Sequence, residues 1–249
     1  MAALAVACTS EPHVRVTAIE YGRSASFSSR QLVGDAPADE RRPLSWQVWL
    51  VETPDRTILV DTGFDDPERA KAWRVTDFEP VATLVDAPAI TDVIVTHGHW
   101  DHTGGVDQFP NATVWIEAAA LRWMESRVSA SVPEASGVLF EDLEVLRHAK
   151  LHVVEGDAQV CPEVTIHGGG GHTPGVAWVE VRSDPPVVLT SDIAYVQENL
   201  ARRVAPGGSM DPASDLRAYD AMAAIKGAVF VPGHDPATMH GERREAIAR

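Results

Sequence analysis

Residues 97–102 read His97-Gly98-His99-Trp100-Asp101-His102, which places three imidazoles and one carboxylate within six positions. The preceding residues, 91–96, are rich in β-branched side chains and predict a buried strand. The hexapeptide would then lie in the loop at the carboxyl end of that strand, where open α/β folds place their sites. The stretch therefore predicts a metal-binding loop. The competing interpretation is a polar turn whose surface histidines bind nothing.

Three further candidate ligands follow, each on a turn at the end of an apolar run. They are His172 in Gly171-His172-Thr173-Pro174-Gly175, Asp192 in Thr190-Ser191-Asp192, and His234 in Pro232-Gly233-His234-Asp235. Imidazole suits zinc, iron, cobalt or manganese better than calcium or magnesium. Five histidines and two carboxylates are too many for one four-coordinate ion. The count therefore predicts two divalent cations that share one carboxylate and stay open to substrate.

These motifs, together with Leu59-Val60-Asp61-Thr62-Gly63, resemble the metallo-β-lactamase superfamily. The resemblance implies an α/β fold, the four-layer αβ/βα sandwich, with the metals at one edge. It implies that Asp61 orients a ligand imidazole, which makes physical sense for a carboxylate behind a metal site. It also implies a ligand set: His97, His99 and His172 on one metal, Asp101, His102 and His234 on the other, and Asp192 as the bridge.

Tyr195 stands three residues after Asp192, and this Asp-x-x-Tyr spacing resembles the quorum-quenching N-acyl homoserine lactonases and the related pyridoxolactonases. A phenol beside two metals can donate a hydrogen bond to the oxyanion that forms when a lactone carbonyl is attacked. The alternative is an ordinary packed tyrosine with a satisfied hydroxyl. Trp100 is either an apolar wall for the substrate or a cap on its loop, and Phe64 allows the same two interpretations.

The predicted reaction follows from the charges. Two cations, most readily zinc, with iron, manganese or cobalt as alternatives, lower the pKa of a bridging water and polarise a carbonyl oxygen. We therefore expect a hydrolase in which hydroxide opens the lactone ring of a small-molecule substrate. Tyr195 would bind the oxyanion, and Asp101 would carry a proton to the leaving oxygen as a general acid/base.

Other members of the superfamily leave alternatives. Glyoxalase II carries a helical domain after its last histidine, and only fifteen residues follow His234 here, so we expect no such domain. No cysteine follows Cys161 to match the cysteine ligand of the best-known β-lactamases, and His99 stands where flavin-linked diiron proteins have glutamate. A thioester or phosphodiester hydrolase stays open. So does a metal-binding protein that kept the fold and lost the chemistry.

Composition predicts the class of protein and its partners. A chain of 249 residues with 45% hydrophobic content favours a single domain over residues 1–249. A net charge of −15 without a Lys/Arg run is unfavourable for binding nucleic acid. Cys8 and Cys161 form no zinc pattern and no disulfide framework, which favours a reduced cytoplasm. The oligomeric state is left open, a homodimer included.

The amino terminus, residues 1–8, is briefly apolar like the core of an export signal. It lacks a basic leader, so we expect a cytoplasmic protein. No apolar run approaches the roughly 20 residues that a membrane helix needs.

Strands are expected at 13–21, 46–52, 57–60, 113–116, 151–154, 163–166, 176–181 and 187–190, and helices at 117–127 and 211–226. Residues 22–43 look like a long loop that could be a substrate flap, and 129–150 look like an insertion of mixed helical character. The Gly168-Gly169-Gly170-Gly171 run would let the backbone bend toward the metals. Asp235 is expected in a turn, and the remaining histidines are not expected to be ligands: His13, His148, His152, His167 and His240.

Overall fold

The computed structural model describes residues 14–130 and 137–248. The apolar segment at residues 1–8, Cys8 and His13 lie outside the described residues, as do residues 131–136 of the expected insertion. Within 14–130 and 137–248, no helix is both long enough and apolar enough to cross a bilayer.

The described residues form twelve strands. They are β1 (Arg15–Ser28), β2 (Arg41–Glu52), β3 (Thr57–Val60), β4 (Asp92–Val95), β5 (Thr113–Glu117), β6 (Lys150–Val154), β7 (Ala158–Cys161), β8 (Val164–Gly168), β9 (Ala177–Val181), β10 (Val187–Ser191), β11 (Val229–Pro232) and β12 (Arg244–Ala248).

Seven α-helices, most of them short, connect these strands. They are α1 (Ser29–Leu32), α2 (Pro67–Ala72), α3 (Trp100–Thr103), α4 (Ala118–Ser129), α5 (Phe140–His148), α6 (Gln197–Arg202) and α7 (Pro212–Ala223).

The strands form two sheets. The larger has seven strands in the order β12-β1-β2-β3-β4-β5-β6, and the smaller has five in the order β11-β10-β9-β8-β7. Strands β3 to β6 run parallel to one another, and so do β10 and β11. Parallel strands bring their carboxyl ends to the same edge of a sheet. The loops after β3 and β4 therefore lie at one edge of the larger sheet, and the loops after β10 and β11 lie at one edge of the smaller sheet. All of the candidate ligands except His172 occur in the loops after β4, β10 and β11.

Apolar side chains form three core clusters, and alternation along the strands explains how. In β4, Ile94 points to one cluster while Val93 and Val95 point to another. In β10, Leu189 joins the same cluster as Ile94, and Val188 points to a third. Successive side chains of a strand face opposite sides of its sheet. The cluster shared by Ile94 and Leu189 therefore fills the space between the two sheets.

The two outer clusters are covered by helices. Met124 of α4 and Leu143 of α5 pack on the outer face of the larger sheet. Tyr219 and Met222 of α7 pack on the outer face of the smaller sheet. The order is helices, sheet, sheet, helices, which confirms the expected four-layer αβ/βα sandwich.

Most predicted elements are found close to their expected bounds. The expected strand at 91–96 is β4, and the expected helices at 117–127 and 211–226 are α4 and α7. The sequence did not predict three strands: β7 and β12, which are short and only partly apolar, and β11, which was recognised only as an apolar run before His234. Helix α5 lies within the expected insertion, and its Leu143 and Leu146 are fully buried in the core.

The prediction of one long loop over residues 22–43 is wrong. Strand β1 continues to Ser28 and β2 begins at Arg41, and the two strands pair through this region with irregularities at Glu20/Gly22 and Ser24/Phe27. The polar side chains suggested a loop, but a strand is held by backbone hydrogen bonds, which need no apolar side chains. Phe27 and Leu44 bring the end of this hairpin to the candidate site.

Candidate metal centre and substrate cavity

The structure brings together all seven side chains that the sequence singled out as candidate ligands. They fall into two groups: His97, His99, His172 and Asp192 in one, and Asp101, His102 and His234 in the other. Within each group, one nitrogen or oxygen atom per residue lies within 4.8 Å of the others. Because four separated segments supply these residues, only the assembled sandwich creates the site.

Each candidate ligand lies in a segment that follows the end of a strand. His97 follows β4 by two residues, and the chain then turns into the single helical turn α3, which carries Asp101 and His102. Asp192 and His234 follow β10 and β11, which are adjacent and parallel, so both loops lie at one edge. His172 lies in the connection between β8 and β9.

The two carboxylate oxygens of Asp192 face different groups. Oδ2 lies 3.4 Å from His172 Nε2 and 3.7 Å from His97 Nε2. Oδ1 lies 3.1 Å from His234 Nε2 and 3.5 Å from His102 Nε2. One buried carboxylate thus links the two groups, which is the arrangement a shared ligand requires.

Within each group, nitrogens and oxygens converge on a common point. His99 Nδ1 lies 3.0 Å from His97 Nε2 and 3.1 Å from His172 Nε2. Asp101 Oδ2 lies 3.4 Å from His102 Nε2 and 3.8 Å from His234 Nε2.

Two of the imidazoles are oriented from behind. His102 Nδ1 lies 2.8 Å from Asp61 Oδ2, and His234 Nδ1 donates a hydrogen bond of 2.9 Å to the carbonyl oxygen of Ser45. A proton held on Nδ1 leaves the lone pair on Nε2, the atom that faces the other ligands. Asp61 therefore lies where the resemblance placed it.

The site fits two divalent cations. His102 Nε2 and Asp192 Oδ1 are buried and have no hydrogen-bond partner. Buried polar atoms are almost always paired because leaving them unpaired costs free energy. Both atoms face the group of Asp101, His102 and His234, where a cation would satisfy them. The donor set of both groups, imidazole nitrogens and carboxylate oxygens, suits zinc and related transition metals.

Burial and charge set the protonation of the ligands. Burial lowers the pKa of His97 well below its ordinary value, and neighbouring histidines lower it further. Burial also lowers the pKa of His172 to about 3. Both rings are therefore neutral, the form that binds metals. His102 differs: burial opposes its protonation, but Asp101 and Asp61 raise its pKa well above the ordinary value.

The ligands open into a cavity of about 440 Å³. Its apolar lining comes from Phe27, Leu44, Trp46, Trp73, Trp100, Trp123 and Met210. Trp100 is 5% exposed and packs against Trp46 with ring centroids 5.6 Å apart, so it is a wall of the cavity. Phe64 packs edge-on behind Trp100 at 4.8 Å and is 2% exposed, which makes it part of the core.

Tyr195 lies beside both ligand groups. Its ring centroid is 5.5 Å from that of His172 and 5.1 Å from that of His234, and the residue lines the cavity. Burial raises the pKa of its phenol well above the ordinary value, and Asp192 and Asp101 raise it further. The phenol is therefore protonated at neutral pH and able to donate a hydrogen bond.

Sequence reasoning did not single out several residues of the cavity. Trp123 and Arg127 lie four residues apart on α4 and both line it. Their spacing on a predicted helix was a signal that they share one face. Met210 and Phe27 carried no such signal, because loops and sheet pairing bring them to the cavity.

Those of the described residues that were expected outside the site belong to neither ligand group. His167 pairs with Glu180 at 2.9 Å and with Asp157 at 3.2 Å, away from the ligand groups. Asp235 begins a short 3₁₀ helix and accepts a hydrogen bond from the Ala237 backbone at 2.9 Å.

The glycine run before His172 bends as expected. Gly170 has a φ of +128°, and a Cβ on Gly171 would lie 1.7 Å from the carbonyl oxygen of Asp211. Only glycine allows this loop to reach the site.

Comparison with known proteins agrees with this geometry. Residues 42–234 match the family model described as the Metallo-beta-lactamase superfamily. An N-acyl homoserine lactonase of a Bacillus species is 27% identical over 185 residues, which cover 65% of this chain and 69% of the relative. The N-acyl homoserine lactonase AttM of Rhizobium johnstonii is 28% identical over 224 residues, which cover 76% and 81%.

A solved structure has the same fold. An N-acyl homoserine lactone hydrolase, determined with the product N-hexanoyl-L-homoserine at its catalytic metal centre, superimposes with a TM-score of 0.77 at 21% identity. The match covers 90% of this chain and 94% of that one. The chain therefore belongs to the metallo-β-lactamase superfamily and carries the paired His/Asp clusters of a metal-dependent hydrolase.

Proposed function

We propose that this protein is a lactonase that opens a small lactone ring, of the N-acyl homoserine lactone type, by metal-dependent hydrolysis. The observation that carries the proposal is the position of Tyr195, a protonated phenol beside both ligand groups at an apolar cavity. The curated relatives named N-acyl homoserine lactonases support it.

The ligand assignment is part of the proposal. His97, His99 and His172 would hold one cation, Asp101, His102 and His234 the other, and Asp192 both. When bound, two such cations supply activation of water and polarisation of a carbonyl oxygen. Zinc suits the donor set best, with iron, manganese or cobalt as alternatives.

The cavity would position the substrate. Its volume of about 440 Å³ lies within the range of small-molecule sites. The wall formed by Trp46, Trp100 and Leu44 would pack against the acyl chain or ring and exclude water from it. This packing holds the lactone carbonyl next to the ligand groups, where the phenol of Tyr195 and the carboxylate of Asp101 can reach it.

Two side chains would then act on the reacting atoms. The Tyr195 hydroxyl donates a hydrogen bond to the carbonyl oxygen as negative charge develops there. The Asp101 carboxylate, which lines the cavity, would take a proton from the water that bonds to the carbonyl carbon and pass it to the ring oxygen as the bond between that carbon and the ring oxygen breaks. The products are a carboxylate and an alcohol on one opened chain.

The test is a substrate panel with purified protein whose metal content has been measured. We expect about two metals per chain, proton release on N-acyl homoserine lactones, loss of turnover after chelation, and recovery when zinc is returned. If the protein turns over thioesters or phosphodiesters but no lactone, the assignment as one of the other hydrolases of the superfamily would be supported instead. Two metals per chain with no turnover of any of these substrates would indicate a binding protein.

A further inference from the structure

The cavity has one lysine or arginine side chain in its described lining. Among the described lining residues, Arg127 of α4 is the only lysine or arginine, and it is half-buried. The lactonase proposal does not use this residue. A role for Arg127 in substrate choice rests on that proposal and concerns which class of lactone the protein prefers.

Helix α4 leads away from the metal-binding residues. The loop that carries His172 packs on the start of the helix, where a Cβ on Gly175 would lie 2.1 Å from the Ala120 backbone nitrogen. The Trp123 ring lies 5.6 Å from the His99 ring. Arg127 follows Trp123 by four residues on the same face, about 6 Å further along the axis. Arg127 therefore lies at the part of the cavity away from the reacting carbonyl.

The guanidinium of Arg127 forms no ion pair within residues 14–130 and 137–248. Its Nε donates a long hydrogen bond of 3.4 Å to Ser126 Oγ. Other arginines nearby are paired: Arg122, on the same helix, lies 4.0 Å from Glu155, and Arg147 lies 2.6 Å from Glu144. Among the described residues no carboxylate neutralises the charge of Arg127, and because Arg127 lines the cavity, this charge is available to a ligand there.

The charge of the cavity also favours an anion. Asp101 and Asp192 are the only acidic residues of its described lining, and both belong to the ligand groups. Two divalent cations would outweigh these two carboxylates. With Arg127 added, the cavity would attract negative groups although the protein as a whole is acidic, because a concave site focuses its local field.

We propose that Arg127 binds an oxyanion of the substrate, and that the preferred lactone carries a carboxylate on its acyl chain or ring. The planar guanidinium matches a carboxylate through two parallel hydrogen bonds. The apolar stem between carboxylate and lactone would lie along Trp123 and the facing tryptophans. Arg127 is thus a specificity residue, distant from the bonds that break.

The experiment compares two N-acyl homoserine lactones of equal chain length, one ending in a methyl group and one in a carboxylate. We expect the protein to prefer the carboxylate substrate in kcat/KM by about tenfold to a hundredfold, the usual range for a charge-assisted hydrogen-bond pair. Arg127→Gln should remove the preference by raising KM for the anionic substrate alone. Arg127→Lys should keep part of it, since the charge stays and the second hydrogen bond is lost.

Arg122→Gln is the matched control. Arg122 lies on the same helix with 65% of its side chain exposed and is outside the cavity, so its removal changes net charge equally. This variant should keep the full preference. If the preference for the carboxylate substrate disappears equally in Arg127→Gln and Arg122→Gln, it depends on the net charge of the protein, and the proposal is overturned.

A binding measurement separates this inference from the lactonase proposal. A linear dicarboxylate of matching length, titrated by calorimetry, should bind the metal-loaded protein more tightly than the Arg127→Gln variant. Equal affinities, or equal kcat/KM for the two lactones in the unsubstituted protein, would overturn the role of Arg127. If no lactone is opened but the affinities differ as expected, the lactonase proposal fails and the anion site stands.

Discussion

Asp61 Oδ2 lies 2.8 Å from His102 Nδ1, and this contact joins the Asp-Thr-Gly turn after β3 to the ligand loop after β4. The other oxygen, Oδ1, accepts a hydrogen bond of 2.8 Å from the Thr96 backbone. Asp61 has a φ of +61°, a conformation that is costly for residues other than glycine and that persists where the surrounding structure holds it. Asp61 thus positions both the His102 imidazole and the end of β4, from which the ligand loop begins.

Asp61→Asn should weaken metal binding. The amide keeps the shape of the carboxylate but loses the charge that raises the basicity of His102, and such changes lower metal affinity by roughly 10- to 100-fold. Competition with a chromophoric chelator measures this effect. Asp65→Asn, in the same connection but bonded to Gln108 at 2.8 Å, is the control and should not change the affinity. Unchanged affinity in Asp61→Asn would remove Asp61 from the support of the site.

Asp192→Asn should disturb both metals together. Its two oxygens face different ligand groups, so the loss of charge affects each of them. We expect fewer than two metals per chain by elemental analysis and a loss of turnover. Asp220→Asn, an exposed carboxylate paired with Arg203, should keep both. An Asp192→Asn protein with two metals and full activity would contradict the binuclear assignment.

Tyr195→Phe should lower kcat and leave metal content unchanged. Removing one donor to a developing oxyanion costs roughly tenfold to a thousandfold in rate. Tyr219→Phe provides the comparison, because Tyr219 donates a buried hydrogen bond of 2.8 Å to the Ile193 carbonyl and does not line the cavity. That variant should lower the melting temperature and leave kcat nearly unchanged. Unchanged kinetics in Tyr195→Phe would exclude a role for the phenol in the reaction.

Asp142→Asn should stabilise the protein at high pH. Burial raises the pKa of Asp142 from 3.8 to about 6, so its ionised form is unfavourable in the folded state. The stability that the protonated carboxyl contributes is present below pH 4 and is lost as the pH rises to about 6. At pH 8 the variant should therefore exceed the unsubstituted protein in free energy of unfolding, by on the order of 2 kcal/mol.

Urea unfolding of both proteins at pH 4 and pH 8 tests this expectation. The gain should be present at pH 8 and nearly absent at pH 4, where both side chains are neutral. The amide oxygen introduced by the substitution can still accept the hydrogen bond that Thr103 now donates to Asp142 at 2.7 Å. A difference that does not change with pH would mean that ionisation of Asp142 does not affect stability.

The sequence was sufficient to identify the candidate ligands that the fold brings together. His97, His99, Asp101 and His102 lie within six residues, and His172, Asp192 and His234 each end an apolar run. Strand ends and ligand spacing are local properties, and local patterns are readable in a sequence because they repeat with the period of the strand or helix. The positions of β4, α4 and α7 were predictable for the same reason.

The tertiary structure alone decided the shape of the cavity and which group of candidate ligands each Asp192 oxygen faces. Arg127, Met210 and Phe27 meet there from α4, from the loop before α7 and from the end of β1. Residues 22–43 are mostly strand and short helix because β1 pairs with β2, which their polar side chains did not indicate. Backbone pairing and the packing of layers join residues that are far apart in the chain, and no local spacing encodes those distances.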